Sequence, residues 1–300
     1  MTWIIVIPAW GDRALDYFQT TSLPSVQEAL RYAGIKDAQF IVHTDDERRV
    51  RKLVGNQVTA LQTPTFVSKY YALGACHQAA ITRANPGDKI AIINADHCVS
   101  VELFEACERR FAEGKQLIMA AGTRTLSDKR PPIGVRSRDL LAWAWANRHP
   151  VITDAIWGTG HSPSLACIHF VEGDDEVVTR AFHLHPVAFV RHAGLKFTGI
   201  TIDDGIVDSF PRDRVHVVTD ADELALAECS PADYFFASRE SQISIVAIAR
   251  WAGKLKGPGH PRASAAHRWL LTHRIVIKGT GKDLGDNAVC NAVLGILDGE

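Results

Sequence analysis

Within its first 122 residues the chain alternates five times between a short apolar run and a segment with helical spacing. The apolar runs are WIIVIP (3–8), FIVHT (40–44), VTALQ (58–62), KIAIINA (89–95) and QLIMAAG (116–122). They are rich in β-branched residues and show no polar alternation, the pattern of strands buried on both faces. The intervening segments are 14–33, interrupted by Pro24, then 45–54, 68–84 and 100–114. Pro86-Gly87 stops the third, and Ser100 is placed to cap the fourth. This rhythm predicts an α/β fold: a doubly wound, mostly parallel, Rossmann-like sheet with right-handed crossovers. Such sheets bind ligands beyond the carboxyl ends of their strands. Two polar turns fall there, Pro8-Ala9-Trp10-Gly11 and Asn94-Ala95-Asp96-His97.

After residue 122 the rhythm changes. Residues 123–137 are polar and Pro-rich and read as a mobile loop; 140–149 reads as a helix; 165–173, 182–190 and 214–218 read as strands. Residues 235–275 read as helical, with a short strand at 274–279. The division expected is one domain over 1–234, made of halves 1–122 and 123–234, and a C-terminal helical extension over 235–300.

Composition excludes several partners. With 46% hydrophobic and 22% charged residues and a net charge of −1, the chain has no global field to draw nucleic acid or an anionic surface. No apolar run approaches the roughly 20 residues of a transmembrane helix, and no basic n-region opens the chain. The six cysteines, at 76, 98, 107, 167, 229 and 290, include no C-x-x-C pair and read as reduced, buried thiols of a cytoplasmic protein.

Asp96 ends a strand, where a carboxylate suits a divalent cation, although helix starts also favour Asp. His183 and His185 lie two apart, hence on one face of a strand, and could share a metal or contact a phosphate. Asp203 and Asp204 precede Gly205, with Asp208 further on; they fit a general base or, equally, a polar turn. Trp10, Gly11 and Asp12 could hold a base and ribose. Arg124, Lys129, Arg130, Arg136 and Arg138 could close over a diphosphate, or form a solvated loop. Gly158, Gly160 and His161 could shape a pocket. Dinucleotide, P-loop and nucleophile-elbow fingerprints are absent.

Taken in order, Ile7-Pro8-Ala9-Trp10-Gly11, Ser22-Leu23-Pro24-Ser25, the turn Asp96 to Ser100, His183 to Pro186 and Ile202-Asp203-Asp204 resemble a group of bacterial glycosyltransferases of the GT-A type. The resemblance covers residues 3 to about 210. It implies a nucleotide-sugar donor and a glycan or lipid-linked acceptor in surface polysaccharide synthesis, with peripheral attachment at the inner membrane through a partner compatible with it. It places Pro8, Trp10, Gly11, Asp12, Asp45, Asn94 and Arg124 around the donor, Asp96, His183 and His185 on Mg²⁺ or Mn²⁺, and Asp203 or Asp204 as catalytic base. The chain departs from the D-x-D hallmark of the family: Asn94-Ala95-Asp96 keeps one acid, which puts metal dependence in question. A sugar nucleotidyltransferase and a non-catalytic glycan-binding scaffold are the alternatives.

Overall fold

A computed structural model describes residues 1–55, 58–62, 69–153, 156, 168–181, 184–195, 206–230, 265–280, 284 and 286–298. Its strands are β1 (Trp3–Pro8), β2 (Gln39–Thr44), β3 (Val58–Gln62), β4 (Lys89–Ile92), β5 (His97–Val99), β6 (Leu117–Ala120), β7 (Gly122–Leu126), β8 (Ile168–Glu172), β9 (Val177–Ala181), β10 (His185–Val190), β11 (Val215–Val217), β12 (Leu226–Ser230) and β13 (Ile275–Lys278). The helices are α1 (Asp12–Tyr17), α2 (Leu23–Tyr32), α3 (Glu47–Val54), α4 (Lys69–Arg83), α5 (Leu103–Ala112), α6 (Ser137–Ala146), α7 (Pro150–Thr153), α8 (Ala265–Leu271) and α9 (Asn287–Asp298).

Seven strands form the central sheet in the order β11-β6-β10-β4-β1-β2-β3. The pairs β1–β2, β1–β4, β2–β3 and β6–β11 are parallel, as the alternating sequence predicts. β10 lies antiparallel between β4 and β6. Its run HPVAFV signals burial on both faces but carries no information about direction. Because β10 runs backwards, its first residue, His185, arrives at the carboxyl end of β4.

Successive residues of β1 feed two cores. Trp3, Ile5 and Ile7 pack with Leu15, Phe18, Val26, Val50 and Phe104 from one helical layer. Ile4 and Val6 pack with Ile41, Ala80, Ile81, Ile90 and Ile92 on the α4 side. Both faces are thereby covered by helices, which is what a parallel sheet requires.

Three local expectations are corrected. Pro24 does not interrupt the helical run. It sits in the first turn of α2, where a missing N–H costs little, and the π-helical turn Phe18–Ser22 joins α1 to α2 ahead of it. Ser100 does not cap α5. The turn after β4 continues into β5, and the Ser100 Oγ instead accepts from Ala225 N–H at 3.0 Å and meets Ser137 Oγ at 3.0 Å. Residues 122–126 are a strand rather than a loop. The alternation Thr123-Arg124-Thr125 buries both threonines, and β7 joins β12 and β5 in a three-stranded sheet.

A third sheet, β13-β9-β8, receives the strand expected near 274–279. Residues 231–264 lie outside the described part, so most of the helical expectation for 235–275 falls there; α8 is within it. Five cysteines, Cys76, Cys98, Cys107, Cys229 and Cys290, are free and buried. Burial pushes the Cys98 and Cys229 thiols up to about 12, so they are inert at neutral pH. Among the described residues no helix is long and apolar enough to cross a membrane.

Candidate functional site

Two turns at the carboxyl edge of the central sheet carry Pro8, Trp10, Gly11, Asp12 and Asn94, while Asp45 follows β2 and Arg124 lies on β7 of the second sheet. In the first, β1 ends at Pro8, and Ala9 N–H donates to the His43 carbonyl at 2.8 Å, continuing the pairing with β2. Gly11 then adopts φ 76° and ψ 153°, a conformation essentially restricted to glycine, and α1 begins at Asp12. The Gly11 N–H points at the carboxylate of Asp45, 3.0 Å from both oxygens. Thus Trp10, Gly11, Asp12 and Asp45 are brought together. Asp12 and Asp45 are exposed, Trp10 half-buried. A Cβ on Gly11 would meet no atom within 4 Å. Gly11→Ala is therefore expected to cost about 1–3 kcal/mol through the backbone alone. Urea unfolding checks this, and a variant as stable as the wild type would contradict it.

The second turn follows β4. Asn94 N–H donates to Nδ1 of His97 at 3.2 Å, and His97 Nε2 lies 3.1 Å from Asn94 Nδ2 and 3.9 Å from an Asp96 carboxylate oxygen. Burial holds His97 well below its ordinary range, with His185 and Arg124 nearby acting in the same direction. Asp96 and His97 consequently do not form an ion pair at neutral pH. The Asp96 carbonyl accepts from Cys229 N–H at 2.8 Å, pinning the turn to β12 while the side chain stays 39% exposed.

His97, Glu228 and Arg124 occupy one row across β5, β12 and β7. Arg124 donates to Glu228 at 2.7 Å and to Ser230 Oγ at 2.5 Å. Gly122 makes room for this: a Cβ there would lie 2.2 Å from a Glu228 carboxylate oxygen. Sequence reasoning missed Glu228, because LALAECS reads only as a short apolar run with one acid. The other cations are not gathered over the site as a set. Arg136 pairs with Glu102 at 3.1 Å, Arg138 with Asp222 at 2.5 Å, and Lys129 and Arg130 are exposed.

His185 is buried, its ring edge-on to His97 with centroids 4.7 Å apart, and its Nε2 faces the Ile92 carbonyl at 2.8 Å. This makes His185 a support for the β4 turn. Asp208 pairs with Arg212 at 3.1 Å. His183, Asp203, Asp204, Gly158, Gly160 and His161 lie outside the described residues. Among the described residues no group of three or more His, Cys, Asp or Glu side chains could hold a metal ion. Asp96 by itself does not make a cation site.

No protein family model matches the chain, and no curated protein does. Solved structures resemble it distantly. S. aureus TarS 1–349 is 12% identical over 91% of this chain and 70% of that one, with a TM-score of 0.42. The same protein in complex with UDP-GlcNAc is 11% identical over 90% and 70%, with a TM-score of 0.44. A protein described as a glucose-1-phosphate thymidylyltransferase from Bacillus anthracis is 14% identical over 42% of this chain and 56% of that one, with a TM-score of 0.30. Likeness of this degree bears on neither chemistry nor substrate. The mixed α/β architecture stands on its own strand order.

Proposed function

We propose that the chain is a nucleotide-sugar-dependent glycosyltransferase acting on a glycan or other hydroxyl acceptor. The observation that carries this reading is the pairing of chemistry along one sheet edge: hydroxyl-accepting carboxylates at the β1 turn, and Asp96 with the Arg124 row at the β4 turn. Exposed Asp12 and Asp45 suit the hydroxyls and ring N–H groups of a nucleoside, with Trp10 beside them. Pro8 and Asn94 shape the two turns. Arg124 is the cation that would stabilise charge on a departing nucleoside diphosphate. Asp203 or Asp204 would take the proton of the acceptor hydroxyl if the reaction inverts. Mg²⁺ or Mn²⁺ would need His183 or the Asp203-Asp204 pair to complete a site with Asp96, and no step here is routed through one.

A specific feature weighs against the nucleotidyltransferase alternative. That chemistry needs phosphates cradled just after β1, by backbone N–H groups at a helix N-terminus. Here the Gly11 N–H already faces Asp45, and Asp12 opens the helix, so two carboxylates occupy the place of the phosphates. Incubation with UDP- and GDP-sugars, and separately with nucleoside triphosphates plus sugar phosphates, tests the proposal. Release of a nucleoside diphosphate from the sugar nucleotide is expected. Release of pyrophosphate from the triphosphate mixture would overturn it in favour of the alternative.

A further inference from the structure

Two buried histidines have no part in the proposed reaction. His43 is the next-to-last residue of β2, two residues before Asp45, and shares the parity of Ile41, which packs on the α4 side. His77 lies on α4 beside the buried Cys76. Their residues are only 2% and 3% exposed, and neither ring nitrogen of either makes a hydrogen bond. Buried polar groups are normally satisfied, so two orphaned imidazoles on facing elements call for an explanation.

The groups around them do not favour charge. From α4, Arg83 disfavours a charge on His43, and the Cys76 carbonyl, the smallest of the causes, favours it without reaching hydrogen-bond geometry. From β10, His185 acts on His77, and His43 adds to this from β2. Behind His185 stands His97 on β5. No carboxylate is among the causes acting on either ring. Burial, the largest cause, lowers His43 to about 4 and His77 to about 3. A proton on either ring would thus meet no counter-charge, and only His43 has an acceptor near it, the Cys76 carbonyl.

We propose that His43 and His77 form an acid-sensitive latch: neutral, they pack α4 onto the sheet as apolar rings; charged, they drive α4 off it and loosen the end of β2. Because β2 leads directly into Asp45, opening would also take apart the Gly11–Asp45 contact. That functional consequence rests on the proposed donor site, whereas the opening of α4 does not.

The sign follows from linkage. An exposed histidine takes its proton near pH 6.5, whereas packed His43 resists it until about pH 4 and His77 until about pH 3. The closed state is therefore fully favoured above pH 6.5 and progressively disfavoured as the pH falls below it. Between pH 7.5 and 5.0 each histidine should favour opening by about thirtyfold.

Amide hydrogen exchange of the full chain at pH 7.5 and 5.0, corrected for intrinsic rates, reads this without any nucleotide. In the wild type the opening constant of α4 should rise several hundredfold while that of α2 stays constant. His43→Gln or His77→Gln should leave about a thirtyfold rise, and the double variant none. A pH-independent α4, an equal rise in α4 and α2, or full pH dependence in the glutamine variants would each overturn the latch. Should the variants not fold, the wild-type contrast between α4 and α2 decides. Failure of the donor reading would leave this result untouched.

Discussion

Asp286→Ala is expected to destabilise the chain by about 3–5 kcal/mol, because it leaves a buried charge without its partner. Asp286 sits at the start of α9 and accepts from two arginines. Arg180 of β9 reaches it through Nε at 2.7 Å, and Arg274, just before β13, at 2.9 Å. The side chains of Arg180 and Asp286 are each only 7% exposed. Arg180 also donates to the Thr272 carbonyl and to the Asn287 side chain, so one guanidinium ties β9, the end of α8 and α9 together. Without the carboxylate, Arg180 remains fixed among carbonyls with its charge uncompensated. Urea unfolding should show a lower midpoint at unchanged slope. A loss below about 1 kcal/mol would mean that the network is solvated in the folded state, as exposed ion pairs are.

Phe189→Ala should cost a similar amount, about 3–5 kcal/mol. Phe189 is fully buried on β10, opposite Ile90 on one side and Leu117 on the other, with Phe210 at 6.4 Å. β10 is a central strand, so the cavity would open between strands held by ladders on both edges and could collapse little. The two losses should add, since Asp286 ties β9 of the third sheet to α9 whereas Phe189 lies in the central sheet. A Phe189→Ala variant within 1 kcal/mol of the wild type in the same urea experiment would show that neighbouring side chains refill the space.

These two positions also mark how far the sequence could be read. WIIVIP, FIVHT and VTALQ are apolar throughout, and a strand buried on both faces is the economical reading of each. HPVAFV has the same character, so its burial was legible but its antiparallel direction was not. β5, β7 and β12 hold three to five residues each, too few for a period to declare itself. Their pairing is fixed by tertiary contacts such as Cys229 N–H to Asp96. The Asp286 network joins residues about 106 apart in sequence, which no local pattern reveals.

The site divides in the same way. The position of Gly11, Asn94 and Asp96 in strand-end turns was legible because ligands of doubly wound sheets sit there, whereas Asp45 entered only through the family resemblance. Glu228 was not, since its meaning depends on a register that places it between His97 and Arg124. His43 and His77 were hidden for the opposite reason. A histidine within an apolar run reads as core filling, and only the absence of any partner for its ring sets it apart.

The claim that most needs testing is that the edge carrying Asp45, Asp96 and Arg124 holds a nucleotide-linked donor. Thermal unfolding of wild type and Asp96→Ala, each with UDP-, GDP- and CMP-linked ligands, tests it directly. A ligand at 100 times its Kd should stabilise the folded chain by about 2.7 kcal/mol. One nucleotide class should raise the wild-type melting temperature and leave Asp96→Ala unmoved. A wild type that responds to none of them, or an Asp96→Ala variant that responds equally, would contradict it.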